Sequence, residues 1–260
     1  MFPIRDHNPS EKTPFVTYAL IVANVIVFLA TLNLVQGSGI ETRRFLFEWA
    51  RIPARISELD GFYTLVSSMF LHGGFMHIIG NMLFLWIFGD NLEEDFGHFG
   101  FAVFYLVSGL GAGLIHVLAA PGSVVPTVGA SGAIAGVMGG YLLMYPKAKV
   151  DVLFIFIIIF KVIPLPAWLM LGAWFGLQIF NGAGSNPDTG GVAYWAHAGG
   201  FIVGLLLVVP LWLKRGGTRF WNRTEGHPDH PEARYELKRS SIPQVRRRKS
   251  DVPRVPRRRP

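Results

Sequence analysis

Two residues in apolar, glycine-rich stretches of this chain have the types and spacing that could do chemistry. Ser131 lies in Gly129–Gly136, where only small residues and Ile134 surround it, and His197 lies just before the glycines of a second stretch, Tyr194–Gly204. A histidine next to a serine can act as a general base and convert a weak hydroxyl nucleophile into one that attacks acyl groups. For Ser131 alone, a hydroxyl that packs helices together is the simpler interpretation. The nucleophile hypothesis therefore requires that the two residues meet.

The composition of the chain indicates a membrane environment. Of its residues 51% are hydrophobic and 16% are charged, the mean hydropathy is +0.38, and the apolar residues fall in long runs. This pattern predicts an all-α, polytopic membrane protein. The chain has no cysteine, which excludes disulfides, thiolate catalysis and cysteine-ligated metals.

A window of about 20 residues, the length that crosses the hydrocarbon core, predicts six spans. They cover approximately 14–35, 74–95, 99–119, 129–145, 165–181 and 193–213. Residues 1–13 are then a short N-terminal segment, 14–213 a six-helix domain with a long interfacial first loop at 36–73, and 214–260 a basic, disordered tail. The apolar run Val150–Ile163 ends in Pro164-Leu165-Pro166 and is interpreted as an interfacial loop. If it were a span, the count would be seven and the termini would face opposite sides.

The tail determines the predicted orientation. After Leu213 the chain has fifteen Lys and Arg residues against five acids, so the positive-inside rule places the C-terminus in the cytoplasm and six spans place the N-terminus there too. An acidic loop would also be cytoplasmic, but acids contribute little to the rule; it contains Asp90, Glu93, Glu94 and Asp95. A solvated tail is the simplest interpretation and contact with anionic lipid headgroups the next, whereas no folded module supports nucleic-acid binding. The expected location is a bacterial cell membrane.

This topology makes a geometric prediction. Spans two, four and six all run from outside to inside, with Ser131 in the first turn of span four and His197 about one turn into span six. His77 lies about one turn into span two, and Asn81 follows it at i+4 on the same helix face. Four polar side chains are therefore expected in one layer near the outer face. His77 and Asn81 could instead form a satisfied hydrogen-bonded pair between helices.

Small residues explain how the helices could approach each other. Span four contains Gly132 and Gly136, and span six contains Gly200 and Gly204, the spacing that lets helix backbones pack closely in lipid. Close packing would bring the imidazole within reach of the hydroxyl. The nearest carboxylate along the chain is Asp188, in the loop before His197, so a Ser-His dyad without an acid is predicted. Donors for an oxyanion are available at His77, Asn81 and the Ser131 backbone N–H.

Three strings carry a resemblance to a known family, in the order Phe70–Met82, Gly129–Gly132 and Ala196–Gly204. They contain His-xxx-Asn, Gly-x-Ser-Gly and His-xx-Gly-xxx-Gly. Over roughly Phe62 to Leu207 the chain resembles the rhomboid family of intramembrane serine proteases. The resemblance implies a six-helix bundle that cleaves transmembrane substrates near the outer membrane face, without a cofactor. It also implies roles for four residues: nucleophile for Ser131, base for His197, and oxyanion donors for His77 and Asn81.

The chain departs from the family's pattern at two places. Many members have a Trp-Arg pair where this chain has Tyr63-Thr64, and some place an aromatic residue four positions after the nucleophile, where this chain has Ala135. A histidine pair in the tail, His227 and His230, lacks further ligands, so no metal site is expected. The alternative function is a non-catalytic membrane protein that binds transmembrane clients. A transporter is disfavoured because no inverted repeat is evident.

Overall fold

The long apolar runs form helices that account for most of the chain. A computed structural model describes residues 2–156, 159–186, 190–229, 231–233 and 235. The helices are α1 (Phe15–Gln36), α2 (Ile40–Trp49), α3 (Pro53–Ser57), α4 (Thr64–Ser67), a 3-10 helix (Ser68–Phe70), α5 (Phe75–Ala119), α6 (Ser131–Met144), α7 (Ala167–Gly184), α8 (Tyr194–Lys214) and α9 (Thr218–Thr224). The strands are β1 (Phe2–Asp6), β2 (Lys149–Phe156) and β3 (Ile159–Pro166). The fold is therefore mostly helical, with a small sheet that the sequence analysis did not predict.

Helix α5 is two helices joined at a break. Gly97 has φ 70° and ψ 162°, a conformation outside the helical region that glycine adopts readily. His77, before the break, lies next to Gly129 at the start of α6, and Leu92 lies next to Gly140 further along it. After the break the order reverses, since Ser108 contacts Gly136 and Ala112 contacts Gly132. The two halves are antiparallel and occupy the positions of the second and third predicted spans.

Three helices in the described ranges are long and apolar enough to cross a membrane: Phe15–Gln36, Phe75–Ala119 and Tyr194–Lys214. Helix α6 is apolar but shorter, with 14 residues. It lies inside the bundle, where Ile134, Met138 and Tyr141 are almost completely buried. A short helix in this central position needs no lipid-facing surface along its whole length.

Helices α6 and α8 pack in parallel with their backbones in contact. A Cβ atom added at Gly200 would overlap the carbonyl oxygen of Gly132, and one at Gly204 would overlap that of Gly136. The two contacts are four residues apart on both helices, so the same contact repeats after one helical turn. Glycines at this spacing allow two helix backbones to approach this closely. The two glycine pairs identified in the sequence thus face each other in the structure.

The interpretation of Val150–Ile163 as a loop is wrong, and so is its alternative as a seventh span. The described residues of this stretch, 150–156 and 159–163, belong to β2 and β3, which pair antiparallel with Val150 opposite Leu165, and β1 pairs antiparallel with β2. Asp151 on β2 accepts hydrogen bonds from Arg5 at 2.7 Å and from His7 at 2.9 Å. The N-terminal segment therefore supplies the third strand. An open sheet with unpaired edges does not span a bilayer, because the hydrocarbon offers its edge groups no partner.

Three segments meet at the end of the bundle opposite to Ser131. Glu93 is buried and accepts hydrogen bonds from the backbone N–H groups of Val16 at 2.8 Å and Thr17 at 2.7 Å, so it caps the start of α1. Asp95 forms an ion pair with Arg215, which directly follows α8. The acidic loop thus has partners within the chain, and the segments before α1 and after α8 lie at the same end.

The tail was predicted to be disordered from residue 214, which is wrong for its first part. Helix α9 packs on the bundle: Phe220 is fully buried, and Trp221 Nε1 donates a hydrogen bond to the Leu143 carbonyl at 3.0 Å. The buried ring of Phe220 and the partly buried ring of Trp221 together hold this short helix against the bundle. The tail prediction for residues 236–260, and His230 of the histidine pair, lie outside the described residues.

Candidate active site

Ser131 lies at the start of α6 because the chain turns sharply just before it. Gly129 has φ 131°, and a Cβ atom at this position would lie 2.8 Å from His77 Nε2. The Gly129 backbone N–H donates to the Ser68 carbonyl at 2.8 Å, which fixes the turn against the 3-10 helix. Glycine is therefore required here for both backbone conformation and space. As the first residue of a helix, Ser131 has a backbone N–H without a partner inside the helix.

The hydroxyl of Ser131 contacts the imidazole of His197. Its Oγ donates to His197 Nε2 at 2.8 Å, and His197 Nδ1 donates to Gln178 Oε1 at 2.9 Å. The orientation of the Gln178 amide is set by its nitrogen, which donates to the Trp174 carbonyl at 3.2 Å. Because the amide oxygen only accepts, the imidazole proton lies on Nδ1 and leaves Nε2 free. This is the tautomer that a general base for Ser131 requires.

Gln178 was missed in the sequence analysis. It belongs to α7, where it is buried, and it occupies the position toward His197 that an orienting carboxylate would take. A signal for it existed, because an amide buried among apolar residues of a membrane helix is costly unless it is hydrogen-bonded. The predicted nearest carboxylate, Asp188, lies outside the described residues.

Helix α7 also supplies the aromatic neighbour of His197. The ring centroids of Trp174 and His197 are 5.9 Å apart, with the planes inclined by 31°. Ala135, at the position where some relatives have an aromatic residue, is completely buried within the bundle. The aromatic ring next to the His197 imidazole therefore comes from α7 and not from α6.

His77 and Asn81 belong to α5 and line the same cavity as Ser131 and His197. The Gly73 backbone N–H donates to His77 Nδ1 at 3.3 Å, so the ring carries its proton on Nε2, the atom that lies against Gly129. Asn81 uses one amide hydrogen to bond the His77 backbone carbonyl at 2.9 Å. Its second amide hydrogen is free to bond another group. The structure therefore brings all four predicted site residues together.

A cavity of about 610 Å³ opens at these residues, and we call it the central cavity. Its lining includes Ser131, His197, His77, Asn81 and Trp174. Within the described ranges no Asp or Glu lines it, and Arg51 is its single permanently charged residue. A mainly apolar cavity with a few convergent polar groups is typical of a site that binds and transforms a ligand.

Tyr63 and Thr64 in the first loop occupy the positions at which many family members have a Trp-Arg pair. Tyr63 donates its hydroxyl proton to the Glu48 carbonyl at 2.6 Å, and its ring contacts Trp49 edge to face. Thr64 is buried and donates to the Gly61 carbonyl at 2.6 Å. The Tyr63 bond ties α2 to the residue that precedes α4, and the Thr64 bond closes the turn at Gly61.

The fold and the site define a helical membrane protein in which a serine and a histidine meet between apolar helices. A sequence model described as "Rhomboid domain" matches residues 60–214, more than half of the chain. The chain therefore belongs to the rhomboid family and is a multi-pass membrane protein.

Several curated proteins are similar to this chain. Rhomboid protein 1, mitochondrial, of Saccharomyces cerevisiae is 32% identical over 195 residues, which is 73% of this chain and 51% of that protein. RHOMBOID-like protein 5 of Arabidopsis thaliana is 36% identical over 110 residues, 42% of this chain and 35% of that protein. Rhomboid protease GluP of Bacillus subtilis is 27% identical over 204 residues, 78% of this chain and 36% of that protein. The chain spans about a third to a half of the length of these relatives.

Proposed function

We propose that this chain is an intramembrane serine endopeptidase that cleaves transmembrane substrates with a Ser131–His197 dyad. The observation that carries the proposal is the 2.8 Å hydrogen bond from Ser131 Oγ to His197 Nε2 inside the central cavity. The family membership supports it, and one similar protein, GluP, is named as a protease.

The proposed reaction has two halves. His197 Nε2 takes the proton of Ser131 as Oγ bonds to the carbonyl carbon of the scissile peptide, and the carbonyl electron pair moves to its oxygen. The tetrahedral intermediate collapses with loss of the amine, which receives the proton from His197. In the second half water attacks the acyl-serine, with His197 again as base, and releases a carboxylate and free Ser131.

The oxyanion would be stabilised by donors of residues that line the same cavity as Ser131. His77 Nε2–H, the free amide hydrogen of Asn81 and the Ser131 backbone N–H are the three groups proposed for this role. Donors of this kind lower the barrier when they are fixed before the reaction begins. The bond from Asn81 to the His77 carbonyl and the bond from Gly73 to the His77 ring supply that rigidity.

The proposed topology has six spans, with both termini in the cytoplasm of a bacterial cell. The proposal is supported by the location of two segments: the start of α1 and Arg215, which follows α8, lie at the same end of the bundle. Ser131 lies at the opposite end of α6, which would place cleavage near the outer face. The basic tail would then meet anionic headgroups of the inner leaflet.

The test is a cleavage assay with purified protein in liposomes and a set of single-span reporters, combined with a fluorophosphonate probe for activated serines. We expect a cut within or next to the reporter's span, and a mass-spectrometric adduct on Ser131. If no reporter is cut and no adduct forms on folded protein, binding of transmembrane clients becomes the better interpretation.

Gln178 is proposed as a positioning residue, because it holds the tautomer of His197 without touching substrate. Gln178→Leu removes the acceptor at similar volume. We expect kcat to fall about tenfold, because the free energy of one hydrogen bond corresponds to about that factor in rate. KM should change little. Gln178→Glu, which restores an acceptor oxygen, should recover part of the rate.

The control for this variant is Leu177→Ala on the same helix, since the Leu177 side chain is exposed. It should leave kcat near the wild-type value. A purely structural role for Gln178 would instead give equal losses in the Leu and Glu variants, together with lower thermal stability in both.

A further inference from the structure

Arg51 is a charged residue of the central cavity that the proposed chemistry does not use. It lies in the first loop between α2 and α3, and 6% of its surface is exposed. Burial lowers the pKa of Arg51 to about 10, so the guanidinium keeps its charge at neutral pH. A buried cation is costly unless an anion faces it.

The counter-charge for Arg51 is missing from the part of the chain that the structure describes. No Asp or Glu in that part forms an ion pair with it, and its Nε atom has no hydrogen-bond partner. Space for the side chain is provided by Gly113 on α5, where a Cβ atom would lie 3.2 Å from Arg51 Nη1. The fold therefore accommodates a cation beside the catalytic residues without neutralising it.

The backbone ties Arg51 to the segment that leads into Ser131. The Arg51 N–H donates to the Thr127 carbonyl at 3.0 Å, and the Thr127 N–H donates to the Arg51 carbonyl at 2.8 Å. Thr127 precedes Ser131 by four residues, which span at most about 14 Å. A group bound by Arg51 would thus lie within a few residues of the scissile bond of a bound polypeptide.

We propose that Arg51 binds a carboxylate side chain of the substrate, so that the enzyme prefers Asp or Glu at one position near the cleavage site. The inference rests on the proposed function, because a polypeptide that reaches Ser131 must enter the cavity that Arg51 lines. The planar guanidinium suits a carboxylate, to which it can donate two parallel hydrogen bonds. A lipid phosphate has similar chemistry, but a lipid has no need to enter this cavity, whereas a substrate does.

The experiment places Asp, and separately Asn, at each of four positions on either side of the cleavage site in one reporter. The quantity compared is the ratio of kcat/KM for the Asp reporter to that for the Asn reporter, measured for each enzyme in zwitterionic vesicles. Wild type should show a ratio of about tenfold or more at one position, the value of a charge-assisted hydrogen bond. Arg51→Gln should bring the ratio near one, and Arg51→Lys should retain part of it.

A matched control and a second readout separate recognition from misfolding. Arg44→Gln removes a charge from an exposed position of the same loop and should keep the wild-type ratio. Fluorophosphonate labelling of Ser131 reports whether each variant is folded, and the ratio cancels any general loss of rate.

Three results would overturn the inference while the protease function stands. One is a reporter that is cut with no Asp preference at any position, and another is an equal preference in wild type and Arg51→Gln. The third is an effect of phosphatidylglycerol on cleavage of the Asn reporter that Arg51→Gln abolishes, which would assign Arg51 to a headgroup. Failure of the proposed function itself looks different, since wild type would then cut no reporter.

Discussion

Substitution of Ser131 by alanine is expected to reduce reporter cleavage on the order of 10⁴-fold or more, with His197→Ala nearly as severe. The reason is that in the proposed mechanism the hydroxyl and the imidazole act as one unit through their 2.8 Å hydrogen bond. Once either is gone, the other has no function in proton transfer. The double variant should therefore be no worse than the worse single variant, far from the product of two separate losses. Initial rates in liposomes, at matched folded fractions, measure all three.

A buried serine elsewhere in the bundle provides the control for these variants. Ser108 on α5 is fully buried beside Gly136 and has no hydrogen-bond partner for its hydroxyl in the described chain. Ser108→Ala should cleave at a rate close to wild type, because it removes a packing hydroxyl and no reacting atom. If Ser131→Ala behaved like Ser108→Ala, the hydroxyl of Ser131 would also be a packing group, and client binding would be the leading function.

The convergence of the four proposed site residues could be predicted because polar side chains are rare in apolar helices. Ser131, His197, His77 and Asn81 each interrupt an apolar run, and the glycine pairs indicate which helix faces can touch. Helix direction then follows from the count of spans. Their meeting in one cavity required only that the three helices run the same way, which is the arrangement in the structure.

Partners that depend on distant segments could not be predicted in this way. In the sequence Gln178 is one amide in an apolar run, and its role becomes visible only when α7 packs next to α8. Glu93 is one of several acids in a predicted loop, and its partner becomes visible only when the start of α1 lies beside it. The three-stranded sheet was not predicted for a related reason. Val150–Ile163 is apolar except for Asp151 and Lys161, and a mainly apolar run does not reveal whether it will pair with a neighbour or lie at an interface. The N-terminal strand that resolves the choice is almost 150 residues away in sequence.

The second large effect is expected at Gly200, three residues after His197. In Gly200→Ala the new Cβ atom would overlap the Gly132 carbonyl oxygen, and neither backbone can rotate away as a side chain can. Helices α6 and α8 must therefore separate, which moves the imidazole away from Ser131 Oγ. We expect the free energy of unfolding to fall by about 1–3 kcal/mol. A displacement of about 1 Å at the reacting atoms should lower kcat about 10²-fold.

Gly172→Ala on α7 is the matched control for this variant, because a Cβ atom there would have no neighbour within 4 Å. It should leave both activity and stability near wild type, or raise stability slightly, since alanine favours helix over glycine. Thermal unfolding and reporter cleavage, measured on the same preparations, test the pair. Comparable values for Gly200→Ala and Gly172→Ala would contradict backbone contact between α6 and α8. Loss of stability with full activity would mean that the hydrogen bond between Ser131 and His197 survives separation of the helices, and their positions would then depend on α7 instead.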